Sequence, residues 1–350
     1  ITMVKVAFLT GITGQDGSYL AEFLLKKNYR VYGIVRRTSL LYSSTRIDHI
    51  RDKLTLKYGD MTDGAGLSNY IHEIIRANFD VRENEIRDST FEIYNLAAQS
   101  HVKVSFEIPE YTADTDGIGV MRLLEIIRTL PENIKSIVKF YQAGTSELYG
   151  EVLETPQSET TPFNPVSPYA AAKLYAFNMT KIYRKAYDLF AVNGILFNHE
   201  SPRRGRQFLT MKVVNAVKEI TQGKRDFVQL GNLNSQRDWG HANDYVKGMW
   251  LMLQRKEPKD YVLATGKTWT VRDFVQLAFA HKGYDLTWEG TGVNEMAMDQ
   301  DGIIRVMVNP KYYRPCEVEL LLGDATKAEK ELGWRREFDT LEKLIVDMFC

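Results

Sequence analysis

The sequence predicts an α/β fold: a doubly wound parallel sheet with a smaller, mostly C-terminal α/β lobe. Three observations carry the prediction. Short apolar runs alternate with amphipathic stretches through the first half of the chain. The first of those runs holds Val6-Ala7-Phe8-Leu9 without a polar residue, as expected of a buried strand. A glycine turn joins the first run directly to the first amphipathic stretch. This is the Rossmann-type order, in which crossover helices cover both faces of the sheet.

Lys5–Thr10 reads as the first strand, and Gly11-Ile12-Thr13-Gly14-Gln15-Asp16-Gly17 follows at once. A helix is predicted from about Ser18 to Lys27, with Tyr19, Leu20, Phe23 and Leu24 on its apolar side. Small residues let a backbone approach a pyrophosphate, and the helix N-terminus offers free N–H groups. The glycines are spaced three and three, not two and three, so an ordinary glycine turn is the competing reading. Arg30–Val35 is the second strand and ends in Arg36-Arg37-Thr38-Ser39. An NAD site places an acid here and an NADP site an arginine. The two arginines favour NADP over a plain solvated turn. Leu54–Tyr58 is the third strand, closed by Gly59-Asp60-Met61, where Asp60 is placed to meet an adenine edge.

Residues 65–78 read as a helix and 79–89 as a charged surface excursion. The fourth strand, Phe91–Leu96, opens into Ala97-Ala98-Gln99-Ser100-His101. A long helix over 113–129 precedes the fifth strand, Ile137–Tyr141. Next come Gly144-Thr145-Ser146-Glu147-Leu148-Tyr149-Gly150, a proline-rich loop, and Ser167-Pro168-Tyr169-Ala170-Ala171-Ala172-Lys173. Ser167 is the expected cap and Pro168 fits the first turn of a helix reaching about Tyr187. Tyr169 and Lys173 share one helix face. Thr145 and Glu147 sit where the preceding strand ends. A hydroxyl, a carboxylate, a phenol and an ammonium converging on one point suit acid–base work on a carbohydrate. Each has a plainer reading: a strand-end hydroxyl, a helix-start carboxylate, an ordinary i,i+4 pair.

A strand over 190–197 leads to Asn198-His199-Glu200-Ser201-Pro202-Arg203-Arg204-Gly205. Helices over 211–221 and 245–253, and one starting near Thr270, alternate with loops. Arg203, Arg204, Lys212, Arg237 and Arg314 recur beside loops or strand ends. Singly each reads as a surface charge; together they would clamp a diphosphate. The predicted division places residues 1–197, with parts of about 237–265, in a dinucleotide-binding domain. About 198–236 and 266–350 form the second lobe.

Lys+Arg and Asp+Glu stand at 45 each, so no net field draws the chain to nucleic acid or membrane. Cys316 and Cys350 give no disulfide framework, and no apolar run spans a bilayer, which predicts a cytoplasmic protein. The six histidines are scattered and none pairs at a metal-ligand spacing, so no metal is expected.

Taken together, the motifs resemble the extended short-chain dehydrogenase/reductase family. Thr10-Gly11-x-x-Gly14-x-x-Gly17, a threonine after the fifth strand and Tyr169-x-x-x-Lys173 are its marks. Within it, the chain is similar to the GDP-mannose 4,6-dehydratases over nearly its whole length. The matching stretches include Gly14-Gln15-Asp16-Gly17-Ser18-Tyr19-Leu20, Ala97-Ala98-Gln99-Ser100-His101-Val102, Asn198 to Gly205, Arg237-Asp238-Trp239-Gly240-His241 and Arg314-Pro315-Cys316-Glu317-Val318. Gly144 stands where that family commonly has Ser, and Cys316 where it commonly has Thr. The glycine is expected to loosen the backbone beside Thr145.

The resemblance implies conversion of GDP-mannose to GDP-4-keto-6-deoxymannose, with NADP reduced and re-oxidised in one turnover. It implies Thr145, Glu147, Tyr169 and Lys173 as catalytic residues. Implied cofactor contacts are Gly11, Thr13, Gly14, Gln15, Asp16, Gly17, Arg36, Arg37, Asp60, Met61, Leu96, Ala97, Ala98, Ser100, Tyr111, Lys173, His199 and Arg204. Implied substrate contacts are Ser100, Asn198, Lys212, Arg237, Arg314 and Glu317. A homodimer or homotetramer is expected. Tyr169 would take the proton of the 4-hydroxyl, and Lys173 about 4 Å away would lower the phenol by up to about 3 pKa units, about 4 kcal/mol at an effective dielectric near 20. Glu147 would then remove the C5 proton and help expel the C6 hydroxyl. An epimerase or a 4-keto sugar reductase on the same scaffold is the alternative, and Glu147, which an epimerase does not need, argues for elimination. A non-catalytic NADP-binding regulator is a third reading, opposed by the four intact side chains.

Overall fold

A computed structural model describes residues 4–39, 44–79, 89–313 and 316–350. Six strands, β1 (Lys5–Thr10), β2 (Arg30–Val35), β3 (Leu54–Tyr58), β4 (Thr90–Asn95), β5 (Val138–Ala143) and β6 (Phe190–Leu196), and a seventh, Tyr261–Leu263, form one parallel sheet. From the seventh strand the order runs to β6, β5, β4, β1, β2 and β3. The chain winds outward one way from β1 and the other way from β4. Between those two strands the topology switches, and a crevice opens beyond their carboxyl ends.

Both faces of this sheet are covered. Ala7 and Leu9 of β1 pack with Leu20 and Leu24 of the Gln15–Lys26 helix and Met249 of the Ala242–Leu253 helix. Val6 and Phe8 point the other way, onto Ile71 and Ile74 of the Gly64–Asn78 helix and Leu123 of the Gly119–Arg128 helix. The uninterrupted apolar character of β1 follows from this two-sided burial.

Four short strands, Val228–Leu230, Thr287–Glu289, Met296–Met298 and Ile304–Val308, make a second, mixed sheet. Helices Leu209–Thr221, Val271–Ala280 and Leu341–Met348 pack with it around Val213, Phe274 and Leu344 in a separate core. The C-terminal region is not confined to that core. Val318, Leu321, Ala328 and Trp334 pack against the seven-stranded sheet, and the Trp334 indole donates to the Asp244 carbonyl at 2.7 Å.

Two expected elements come out differently. The first helix starts at Gln15, not Ser18, so Gln15, Asp16 and Gly17 form its first turn. The long helix expected over 113–129 is present and starts earlier, at Pro109, but it contains a π-helical turn: Pro109–Ala113 is α-helical, Asp114–Ile118 π-helical and Gly119–Arg128 α-helical again. The excursion over 79–89 and Arg314 lie largely or wholly outside the described residues. Among the described residues no helix is long and apolar enough to cross a membrane, and no group of metal-ligating side chains forms.

Candidate active site

The crevice is a cleft of about 1740 Å³ running from the glycine turn to the mixed sheet. Every expected site residue lines it except Arg314, which is outside the described residues.

Thr10 ties β1 to β4 at the switch point. Its hydroxyl donates to Asn95 Oδ1 at 2.6 Å and accepts from the Leu96 and Ala97 amides, both at 3.1 Å. Gly11 turns the chain at φ +68°, where a Cβ would lie 2.8 Å from the Ala97 nitrogen. At Gly17 a Cβ would meet the Gly11 carbonyl oxygen at 2.2 Å. The turn therefore presses strand, turn and helix into one shallow cradle open to the cleft, with the amides of the helix's first turn at its edge. This is a fitting seat for a pyrophosphate.

Across the cradle, His199 sits on the strand Asn198–Glu200, which pairs in parallel with Trp239–His241. Its Nδ1 bonds the Phe197 carbonyl and its ring stacks on Tyr245 at 4.5 Å. Nε2 lies 2.6 Å from Asp16 Oδ2. Burial alone would lower the imidazole, but the Asp16 carboxylate, its hydrogen bond and the Phe197 carbonyl outweigh it and raise the pKa. Burial would likewise raise Asp16; His199 and Arg204 bring it below the ordinary range. Arg204 pairs with the buried Glu200 carboxylate at 3.0 Å and covers the Phe208 ring at 3.9 Å. Arg203 turns out of the cleft to Glu22, 2.6 Å away.

At the far edge, Arg36 donates to the Tyr111 hydroxyl at 3.0 Å, and Arg37 lies 5.3 Å over the Tyr58 ring. Two guanidinium groups and two phenols thus flank the end of β2. Asp60 is drawn back toward Thr62, accepting from its amide at 3.0 Å and its hydroxyl at 2.9 Å.

Thr145, Glu147, Tyr169 and Lys173 line the cleft together beyond the end of β5. Thr145 caps the short turn Ser146–Leu148, its hydroxyl accepting from the Glu147 amide at 3.2 Å. Ser167 caps the Pro168–Tyr187 helix, as expected, by accepting from the Ala170 amide at 3.1 Å. That helix presents Tyr169 and Lys173 to the same place. The Tyr169 phenol is hydrogen-bonded to Thr145, and its backbone amide to Ser105 Oγ at 3.2 Å.

One expectation is corrected here. Lys173 does not bring the Tyr169 phenol below its ordinary value. Its ammonium donates to the Ala143 carbonyl at 3.0 Å and stands 5.9 Å from the phenol ring centroid. Burial pushes the phenol up, and the Asp116 and Glu147 carboxylates add to this; the Thr145 hydrogen bond and Arg204 only partly oppose them. Lys173 is itself lowered by burial, with Asp116 pulling the other way. Asp116, in the π-helical turn, is the charged neighbour that sequence reading missed. A signal was available: Asp116 shares an i, i+4, i+7 spacing with the buried Val120 and Leu123. A carboxylate on an apolar face asks for a partner.

On the mixed-sheet side, Lys212 donates to the Gln229 carbonyl at 2.6 Å and lies 3.5 Å over the Tyr312 ring. Burial and the neighbouring Arg225, Lys311 and Lys103 lower its pKa to about 8. Arg237 meets Glu317 at 3.3 Å. Asn198 Oδ1 is buried with no hydrogen-bond partner among the described residues.

A family model described as GDP-mannose 4,6 dehydratase matches residues 8–348. The chain belongs to the GDP-mannose 4,6-dehydratase family. The relative of that name from Drosophila melanogaster is 53% identical over 98% of this chain and 85% of its own. The human GDP-mannose 4,6 dehydratase is 52% identical over 98% and 90%. A Vibrio cholerae GDP-mannose 4,6-dehydratase is 50% identical over 98% and 92%. Among solved structures, a Thermus thermophilus UDP-glucose 4-epimerase in complex with NAD superposes at TM-score 0.75 and 24% identity, over 98% of both chains. A Bacillus anthracis dTDP-glucose 4,6-dehydratase in complex with NAD superposes at 0.73 and 21%, over 99% of this chain and 96% of its own. These structures share the fold.

Within this family frame, Gly144 is not the loose joint expected beside Thr145. Its amide donates to the Gly194 carbonyl at 2.7 Å, continuing the β5–β6 ladder. A Cβ there would lie 2.6 Å from that same oxygen. The glycine permits a close strand approach that holds Thr145 in place.

Proposed function

We propose that the chain catalyses the NADP-dependent dehydration of GDP-mannose to GDP-4-keto-6-deoxymannose, a step in deoxyhexose nucleotide-sugar synthesis. The observation that carries this is the meeting of Thr145, Glu147, Tyr169 and Lys173 in the cleft that begins at the glycine cradle. The family's full-length match supports the substrate.

In this reading the cradle of Gly11, Thr13, Gly14, Gln15, Asp16 and Gly17 holds the cofactor pyrophosphate, with His199 and Arg204 opposite. Arg36 and Arg37 select the 2′-phosphate and so NADP. NADP held there would supply the hydride acceptor for C4 and the donor for C6, and its positive charge would favour the phenolate. Tyr169 takes the proton of the 4-hydroxyl, and Thr145 orients that oxygen. The 4-keto group acidifies C5, and Glu147 removes its proton. Glu147 then passes that proton to the departing C6 hydroxyl, which leaves as water. The proton held on Tyr169 balances the one that C5 regains. Lys212, Arg237, Arg314 and Glu317 hold the GDP moiety, with Asn198 and Ser100 nearer the sugar. The dinucleotide domain is residues 1–197 with parts of about 237–265; the lobe that binds the nucleotide sugar is about 198–236 and 266–350. The enzyme is placed in the cytoplasm as a homodimer or homotetramer.

The test is mass spectrometry of the products formed by the purified protein with NADP from a panel of nucleotide sugars. GDP-mannose alone should lose water. Glu147→Gln should still bind NADP and lose at least about 100-fold in water elimination; full activity in that variant removes Glu147 as the base.

A further inference from the structure

The π-helical turn Asp114–Ile118 places a buried carboxyl group beside the reacting pair. A π-helical turn inside an α-helix shifts the register of its side chains and is frequent at functional sites. This one packs directly on the Pro168–Tyr187 helix. A Cβ at Gly117 would lie 3.4 Å from the Ala172 carbonyl oxygen, and Ala172 is the residue before Lys173. Asp116 is fully buried. One of its oxygens accepts from the Gln99 amide at 2.7 Å, which fixes the side chain to the loop after β4. Among the described residues the other oxygen has no hydrogen-bond partner, and neither has the adjoining Thr115 hydroxyl. A buried carboxyl group left half-satisfied is costly, so its retention at this position asks for a reason.

We propose that Asp116 is a positioning residue for the Tyr169–Lys173 pair: fixed by Gln99 on one oxygen, it acts through the charge on the other to set the pH at which Tyr169 serves as the base. This rests on Tyr169 and Lys173 being the reacting pair. The groups facing Asp116 define the sign. From the Pro168–Tyr187 helix they are Lys173 and Tyr169, and both feel Asp116 electrostatically. Glu147 and Arg204 also act on the same phenol, the first raising it and the second lowering it. On Asp116's own stretch, Arg122 is engaged by Asp114 at 2.7 Å. Burial raises the Asp116 carboxyl to about 6, with Lys173 opposing. Above that pH the carboxylate holds the proton on both Tyr169 and Lys173; below it the restraint is released.

The experiment is the pH profile of kcat/KM for GDP-mannose, measured with NADP on the whole enzyme, for wild type, Asp116→Asn, Thr115→Val and Tyr169→Phe. Asn keeps an oxygen for the Gln99 amide and removes the charge. The profile of Asp116→Asn should move to lower pH by about one unit, the scale of one buried neighbouring charge, with the Kd for NADP within twofold of wild type. Thr115→Val, which changes the same turn without charge, should leave the profile in place. A profile for Asp116→Asn that overlays the wild type, or one that falls in height without moving, overturns the proposal. If the Asn variant does not fold, Asp116→Ser, smaller and still able to accept from Gln99, gives the same reading. Tyr169→Phe separates the two levels. If it is inactive while Asp116→Asn is unmoved, only Asp116 loses its role; if it stays active, the assignment of the reacting pair fails and this proposal with it.

Discussion

His199 Nε2 and Asp16 Oδ2 stand 2.6 Å apart and join the first turn of the Gln15–Lys26 helix to the strand Asn198–Glu200. The contact closes the glycine cradle from the opposite side. It has a defined pH signature. His199 is raised, so its contribution to stability is full below its unfolded pKa of about 6.5 and is lost as pH rises through the folded value. Asp16 is lowered, so its contribution is present above about 3.9 and is lost as pH falls through the folded value. The pair is therefore most stabilising between about pH 4 and 6.5. His199→Gln should cost about 1–3 kcal/mol in that window and less at alkaline pH. Thermal denaturation across pH checks this: a difference from wild type that grows above pH 7 would contradict it.

In the proposed reading the end of β2 governs cofactor choice. Arg36 and Arg37 stand beside Tyr111 and Tyr58 at the cleft rim. Replacing them together, Arg36→Asp with Arg37→Ala, removes the 2′-phosphate cations and offers an acid to a ribose 2′-hydroxyl. The ratio of kcat/KM for NADP over NAD should fall at least about tenfold, since one charged hydrogen bond is worth about 1.5–3 kcal/mol. An unchanged ratio would make these arginines surface groups.

In the proposed reading Lys212 gives the substrate side its own pH limit. With its pKa lowered to about 8, the ammonium that would meet a diphosphate is present below that pH and lost above it. In the free enzyme kcat/KM for GDP-mannose should therefore fall above about pH 8. Lys212→Arg keeps the cation at all working pH values, so its profile should stay level further into the alkaline range. Steady-state rates from pH 6 to 10 decide between a cation that binds and one that only packs on Tyr312.

Gly144 is a packing requirement. Gly144→Ser puts a Cβ 2.6 Å from the Gly194 carbonyl oxygen, a backbone atom that yields only if β5 and β6 shift apart. The variant should lose about 1–3 kcal/mol of stability, the usual cost of overpacking. Because Thr145 is the next residue, activity should fall further than stability does. Calorimetry and rate measurements on one preparation compare the two losses, and an unaltered Tm would show that the strands have slack.

Much of this was legible in the residues. Unbroken apolar runs such as Val6–Leu9 have to be covered on both sides, and glycines at 11, 14 and 17 beside a strand end leave few other uses. Ser167-Pro168 announced a helix start by its cap chemistry, and a spacing of four set Tyr169 above Lys173. These are local rules, acting over one turn or one strand, so the sequence by itself determined them. The tertiary structure alone decided what depends on distance through space. It drew the Lys173 ammonium to the Ala143 carbonyl, buried the Tyr169 phenol and brought it under the charge of Asp116, so that Tyr169 is held up and not down. It turned Arg203 away to Glu22 while Arg204 stayed in the cleft, and it made Gly144 a point of close contact. Burial and Coulomb interaction depend on neighbours far apart in the chain, and residue spacing carries no record of them.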